Sequence, residues 1–202
     1  MHLGTRFAIL LLIIMHAFDV SLFWFIFRSA QNPWVSWFAI FCAEYLIVVL
    51  GAVFLVALAR ERSRKKQAYL FLFAVAGEVL ARGFIAEAFY FIFNRARPFV
   101  ELSVTTLVHH APTASFPSGH ATFSFFLAFA LFLYNKKWGW AGTIMAVLIA
   151  WGRVAVGVHW PSDVVGGAVI AGLVFWAMVK WLPREKGIGE GVRVENDLST
   201  SI

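Results

Sequence analysis

Six apolar runs, at residues 7–27, 36–59, 67–93, 119–134, 139–157 and 162–182, leave this chain few ways to fold. A helix crossing the hydrocarbon core of a bilayer needs roughly 20 apolar residues at about 1.5 Å each, and all the runs but the fourth approach or exceed that length. The runs are continuous rather than alternating, which favours helices over a transmembrane β-barrel. A soluble domain is about half apolar; here 61% of the residues are hydrophobic, with 22 Phe and 9 Trp. The first run is too long for a cleaved secretory signal, and no small-residue cleavage site follows it. His16 and Asp19 interrupt this run, so it either spans or lies partly in the interface. The expected fold is an all-α integral membrane protein, a six-transmembrane-helix bundle over residues 1–186. Residues 187–202 are polar and Gly-rich without an apolar period, and read as a disordered tail.

The net charge of +6 and pI near 9.8 would suit nucleic acid in a soluble protein. In a membrane protein, basic loops are topology signals and contacts to anionic lipid heads. With the N-terminus in the cytoplasm, 12 of the 17 Lys and Arg fall inside, including the cluster Arg60, Arg62, Arg64, Lys65 and Lys66. Only Arg28, Arg95, Arg97 and Arg153 fall outside, and Arg82 lies within the third run. The asymmetry places both termini in the cytoplasm and the loops 94–118 and 158–161 on the outer face. Cys42, the single cysteine, supplies neither a disulfide nor a thiolate metal site and reads as a packing residue.

The polar residues most able to do chemistry gather on that outer face. In Phe116-Pro117-Ser118-Gly119-His120, Ser118 is a good helix N-cap and Gly119 lets backbone approach a ligand closely. The first-turn amides that follow suit a phosphate, beside which His120 is placed for proton transfer. Alone, the stretch is better read as a capped helix with a chance histidine. In Asn94-Arg95-Ala96-Arg97-Pro98, Pro98 is expected to stop the third helix, and Arg97 offers a forked donor set for phosphate oxygens. The third group runs from Gly152-Arg153 to His159 and Asp163, with Pro161 and Ser162 making a helix start. A carboxylate four residues after His159 can hold one ring nitrogen and leave the other facing a cavity as a nucleophile. Arg97 alone is better explained by lipid headgroup contact, and the third group alone by an interfacial His–Asp pair with a snorkelling arginine. Two histidines, two arginines, an anion-binding helix start and an aspartate on one face are not so explained.

These residues resemble the signature of the type 2 phosphatidic acid phosphatase (PAP2) superfamily of membrane lipid phosphatases. That signature is a lysine, six residues, then Arg-Pro; then Pro-Ser-Gly-His; then Ser-Arg, five residues, His, three residues, Asp. Here it is met by Arg97-Pro98, Pro117-Ser118-Gly119-His120, and Arg153, His159 and Asp163. Two departures stand out: Tyr90 occupies the lysine position, and Gly152 replaces the serine before Arg153. The resemblance implies that His159 attacks phosphorus to form a phosphohistidine, that Asp163 orients it, and that His120 is the acid and base. It implies a phosphate cradle of Arg97, Arg153, Ser118 and Gly119, with Arg95 and Tyr90 as candidates for the missing lysine contact. No cofactor is expected. No Asp/Glu cluster on the outer face offers to hold a metal, so charged side chains take that part.

Small size, Ala43–Val49 and Asn94–Phe99 resemble the bacterial undecaprenyl-diphosphate phosphatase branch. The implied setting is the bacterial cytoplasmic membrane with the site facing out, and the implied substrate a polyprenyl diphosphate used as a cell-wall lipid carrier. Phosphatases of phosphatidylglycerophosphate or phosphatidate, and lipid A phosphatases or phosphotransferases, share the motifs. A lipid-phosphate binder or transporter without activity is the alternative of another class; intact His120, His159 and Asp163 argue against it.

Charges within the runs pair in one of two ways. Glu78 and Arg82, spaced i,i+4, form a pair alone, or Glu44 and Glu87 join them in a network beneath the phosphate site. Distance argues against Arg82 as a substitute for the lysine, since 15 residues of helix put it about 22 Å from Arg97. A zinc site from the adjacent His109 and His110 is disfavoured because neighbouring side chains diverge. His16 with Asp19 could relay protons, although packing or interface contact explains them more simply.

Overall fold

The computed structural model describes residues 3–182, and the regular elements among them are all helices. Helix α1 spans Leu3–Ser29. Helix α2 (Pro33–Ile40) passes through a π-helical turn (Phe41–Tyr45) into α3 (Leu46–Arg60). Helix α4 (Arg64–Glu78) passes through a second π segment (Val79–Ala86) into α5 (Glu87–Phe93). After the short α6 (Pro98–Glu101) come α7 (Gly119–Tyr134), α8 (Lys136–Ala155) and α9 (Pro161–Trp181). The expected tail at 187–202 lies outside the described residues.

Helices start where a short polar side chain can take a free amide. Asn32 accepts from Trp34 N–H at 3.0 Å and Asn135 from Lys137 N–H at 2.8 Å. Ser63 accepts from Lys66 N–H at 3.3 Å, and Ser118 from Ala121 N–H at 3.4 Å. Among the described residues, Pro33–Arg60, Arg64–Glu101 and Pro161–Trp181 are long and apolar enough to cross a membrane; Gly119–Tyr134 is apolar but shorter. Phe25, Trp37, Phe84, Phe91, Ile144 and Trp176 are all more than half exposed. A soluble protein does not present so much large apolar surface, whereas lipid solvates it. The molecule is a membrane protein.

Helix α7 is the central post. It packs mainly on α8 and α9 and also on α4 and α3. Half of its residues are buried, Phe126 and Leu131 completely. Close approach is bought with small residues: a Cβ at Gly77 would lie 1.8 Å from the Phe126 ring, and one at Gly167 would lie 2.7 Å from the Ser118 carbonyl oxygen. The second contact brings the start of α9 onto the first turn of α7, where Ser118 N–H donates to the Asp163 carbonyl at 3.0 Å.

Two sequence expectations are corrected here. Pro98 does not end the third apolar helix. That helix closes at Phe93, Asn94 turns the chain at φ 24°, and Pro98 is the first residue of α6, a position where its missing N–H costs nothing. Glu78 and Arg82 do not pair. The π segment begins at Val79, and π winding matches residues five apart rather than four. Arg82 therefore pairs with Glu87, Nη1 to Oε1 at 2.5 Å, while Glu44 pairs with Arg153 at 2.6 Å. Both Glu78 carboxylate oxygens are buried without a hydrogen-bond partner. The expected single network is two separate pairs.

Candidate active site

The segment between α8 and α9 carries His159, which is 2% exposed. Its Nδ1 lies 3.4 Å from Asp163 Oδ2, within ion-pair distance but without hydrogen-bond geometry. Its Nε2 lies 3.2 Å from Arg97 Nη1. A guanidinium is a donor only, so Nε2 must hold a lone pair and the ring proton of the neutral form sits on Nδ1, facing the carboxylate. That is the tautomer a nucleophile needs. Burial pushes the His159 pKa down to about 4; Asp163 acts against this, and Arg153 and Arg97 add to it.

Asp163 is the third residue of α9 and is completely buried. Oδ2 accepts from the Trp160 amide at 2.8 Å, the carboxylate half of a capping box, and from the Ser115 hydroxyl. Oδ1 accepts from Arg95 Nη1 at 2.9 Å.

A cavity of about 570 Å³ opens in front of His159, with Arg82, Tyr90, Arg97, Gly119 and His120 among its walls. Ile47 and Phe123 add an apolar side. Arg97 is 3% exposed, and all five of its donor directions are taken: Nε by the Thr113 carbonyl, Nη1 by the Val158 carbonyl and His159, Nη2 by Thr113 Oγ1 and the Ala114 carbonyl. A ligand that reaches Arg97 must displace one of these, and Thr113, Ala114 and His159 all line the cavity beside it. Arg153 is 1% exposed; Nη1 binds Glu44 and the Ala43 carbonyl, and Nε is a buried donor without a partner.

The structure thus brings His159, His120, Asp163, Arg97, Gly119 and Arg153 together. It places three sequence candidates differently. Ser118 is fully buried and its hydroxyl caps α7, so it shapes the cradle from behind. Arg95 lies on the far side of Asp163, paired with Asp19 and Ser162. Tyr90 reaches the cavity, but its hydroxyl donates to the Pro117 carbonyl at 2.8 Å.

Sequence reasoning missed Arg82 and His110. Arg82 was set aside on distance along a helix; it stands at the cavity wall, its guanidinium 5.7 Å over the Tyr90 ring. A Cβ at Gly119 would lie 2.4 Å from Arg82 Nε, so the glycine makes room for it. His110 lies edge-on to His159, ring centroids 6.3 Å apart, and burial lowers its pKa. His16 pairs with Glu101 at 3.1 Å and not with Asp19. Among the described residues no three His, Cys, Asp or Glu side chains gather as a metal would require.

Comparison with known proteins gives the chain a family. The model of the PAP2 superfamily matches residues 67–186. The undecaprenyl-diphosphatase BcrC of Bacillus subtilis is 34% identical over 145 residues, 71% of this chain and 72% of BcrC. A lipid A 1-phosphatase of Rhizobium etli is 32% identical over 143 residues, 65% of this chain and 60% of that protein. The crystal structure of Aquifex aeolicus LpxE superposes with a TM-score of 0.59 at 26% identity, covering 80% of this chain and 94% of that one. With its three motifs folded into one cavity and the family model matched over more than half its length, the chain belongs to the PAP2 superfamily of membrane lipid phosphatases.

Proposed function

We propose that the chain hydrolyses undecaprenyl diphosphate, or a close polyprenyl diphosphate, to the monophosphate and inorganic phosphate through a phosphohistidine. The observation that carries this reading is His159: Nε2 bears a lone pair at a cavity wall, and Nδ1 faces a buried carboxylate.

The terminal phosphoryl group enters against Arg97. One of its oxygens takes over the Nη1 hydrogen that Nε2 holds at rest. Nε2 attacks phosphorus, the bond to the bridging oxygen breaks, and His120 delivers a proton to that oxygen. Asp163 stabilises the ring cation. Water then attacks phosphorus, gives its proton to His120, and the N–P bond breaks to release phosphate and neutral His159. Arg97, the free Arg153 Nε, the Gly119 amide and Arg82 stabilise the charge on the phosphoryl oxygens. Arg82 supplies the cation absent at Tyr90. The basic inner loops support six spans with both termini in the cytoplasm and this cavity on the outer face of a bacterial cytoplasmic membrane.

Purified chain in detergent without divalent metal is expected to release phosphate from a polyprenyl diphosphate, and His159→Ala to release none. Full activity in His159→Ala would end the nucleophile assignment. The likeness to a lipid A 1-phosphatase favours a lipid A 1-phosphate as the second substrate. A side-by-side panel with phosphatidylglycerophosphate and phosphatidate separates these, and added lipid acceptors separate hydrolysis from phosphotransfer.

A further inference from the structure

The side of Asp163 that faces away from the cavity is built from groups the proposed chemistry does not use. Arg95 Nη1 holds Asp163 Oδ1 at 2.9 Å, and Arg95 Nη2 holds Asp19 Oδ2 at 2.5 Å. Asp19 also grips the first turn of α9. Oδ1 accepts from the Ser162 amide at 2.9 Å and Oδ2 from its hydroxyl at 2.5 Å. The Arg95 guanidinium lies 5.2 Å over the Trp160 ring. Asp19 is only 4% exposed, and a carboxylate that deep is retained only with its lone pairs filled.

The carboxylate torsion of an aspartate is broad and not fixed by rotamer preference. Asp163 points an oxygen at His159 only because partners hold both of its oxygens. A guanidinium fork prefers to take both oxygens of one carboxylate. Asp19 prevents this by occupying the second arm of Arg95.

We propose that Asp19 and Arg95 are positioning residues for the active site, acting as an outer relay. Asp19 divides the Arg95 fork so that Arg95 takes only Oδ1 of Asp163, and Oδ2 stays toward His159. Helix α1 thereby becomes a working part of the site, reaching it across 143 residues of chain to Ser162.

The test uses the full chain in detergent, with phosphate release from a polyprenyl diphosphate and the thermal midpoint measured together. Asp19→Asn and Arg95→Gln are each expected to lower kcat about tenfold to a hundredfold, with KM within about twofold. The double variant is expected to be no slower than the slower single, because both act through one carboxylate. Losses that multiply, losses confined to KM, or a wild-type kcat per folded molecule would overturn the relay. If Asp19→Asn does not fold, Arg95→Lys keeps the charge and loses the fork; wild-type kcat there is equally fatal. The relay rests on the phosphatase reading for its kinetic readout only. An inactive wild type ends that reading, and the nitrogen NMR signal of His159 Nδ1 still judges the relay. That signal shifts in Asp19→Asn if Asp163 is withdrawn and stays put if the relay is wrong.

Discussion

Tyr90 stands where the first PAP2 motif has a lysine, and the guanidinium of Arg82, eight residues earlier, lies over its ring at the cavity wall. One unbroken α-helix up to Arg97 would hold Arg82 about 22 Å away from it. The helix instead ends at Phe93, the chain turns at Asn94, and the π segment re-aims Arg82. Tyr90 serves as a ledge: its ring lies under the Arg82 guanidinium and its hydroxyl fixes Pro117. A charged hydrogen bond is worth about 1.5–3 kcal/mol. Arg82→Gln is therefore expected to lower kcat/KM about tenfold to a hundredfold, and Arg82→Lys to recover much of it; equal activity in Arg82→Gln would remove Arg82 from the cradle. A second expectation concerns pH. Attack needs neutral His159, whose pKa burial depresses to about 4. Protonation then removes the nucleophile only as pH falls through about 4, so the acid limb of kcat/KM assigned to His159 lies well below the pH 6.5 of a free imidazole. A limb near 6.5 would show a solvated ring. His159 and Asp163 were legible in the sequence because four residues at a helix start impose their proximity. Asp19 and Arg95 were not, because a pair 76 residues apart leaves no local pattern.

The apolar runs foretold the helices well, since continuous hydrophobicity is what a helix in lipid demands. The capping residue Ser118 marked the start of α7. The two π segments were invisible, for they break no apolar run and carry no special residue type. Yet they decide which charges meet: Glu44 lies in the first and Arg82 in the second. Gly152 makes a related point. A Cβ there would come within 2.8 Å of the Ala43 amide nitrogen and 2.9 Å of Cys42 Cβ. The backbone of the first π turn therefore leaves no space for the serine of the family signature, and Arg153 reaches the Ala43 carbonyl and Glu44 through that same contact. Gly152→Ser is expected to cost about 1–3 kcal/mol as overpacking, read as a lower thermal midpoint in detergent, with reduced kcat because Arg153 moves with α8. An unchanged midpoint would mean that the π turn yields freely.

At the scale of the whole molecule, the arrangement of loops decides to which side of the membrane the His159 cavity opens. His109 is exposed in the loop that also presents His110 and Thr113 to the cavity. Arg62 and Lys137 are exposed in the turns before α4 and at the start of α8. If basic loops stay in the cytoplasm, these two turns face inward and the His109 loop faces out. The native Cys42 is fully buried, so single cysteines can report each loop in turn. In intact bacterial cells, a membrane-impermeant maleimide is expected to label His109→Cys. It is expected to spare Arg62→Cys and Lys137→Cys until the cells are permeabilised. The reverse pattern would place the cavity in the cytoplasm, and a lipid carrier released on the outer face would then not be its substrate. Labelling of Arg62→Cys and Lys137→Cys from opposite sides would instead remove or add a crossing between α4 and α7 and end the six-span reading, while leaving the chemistry of His159 intact.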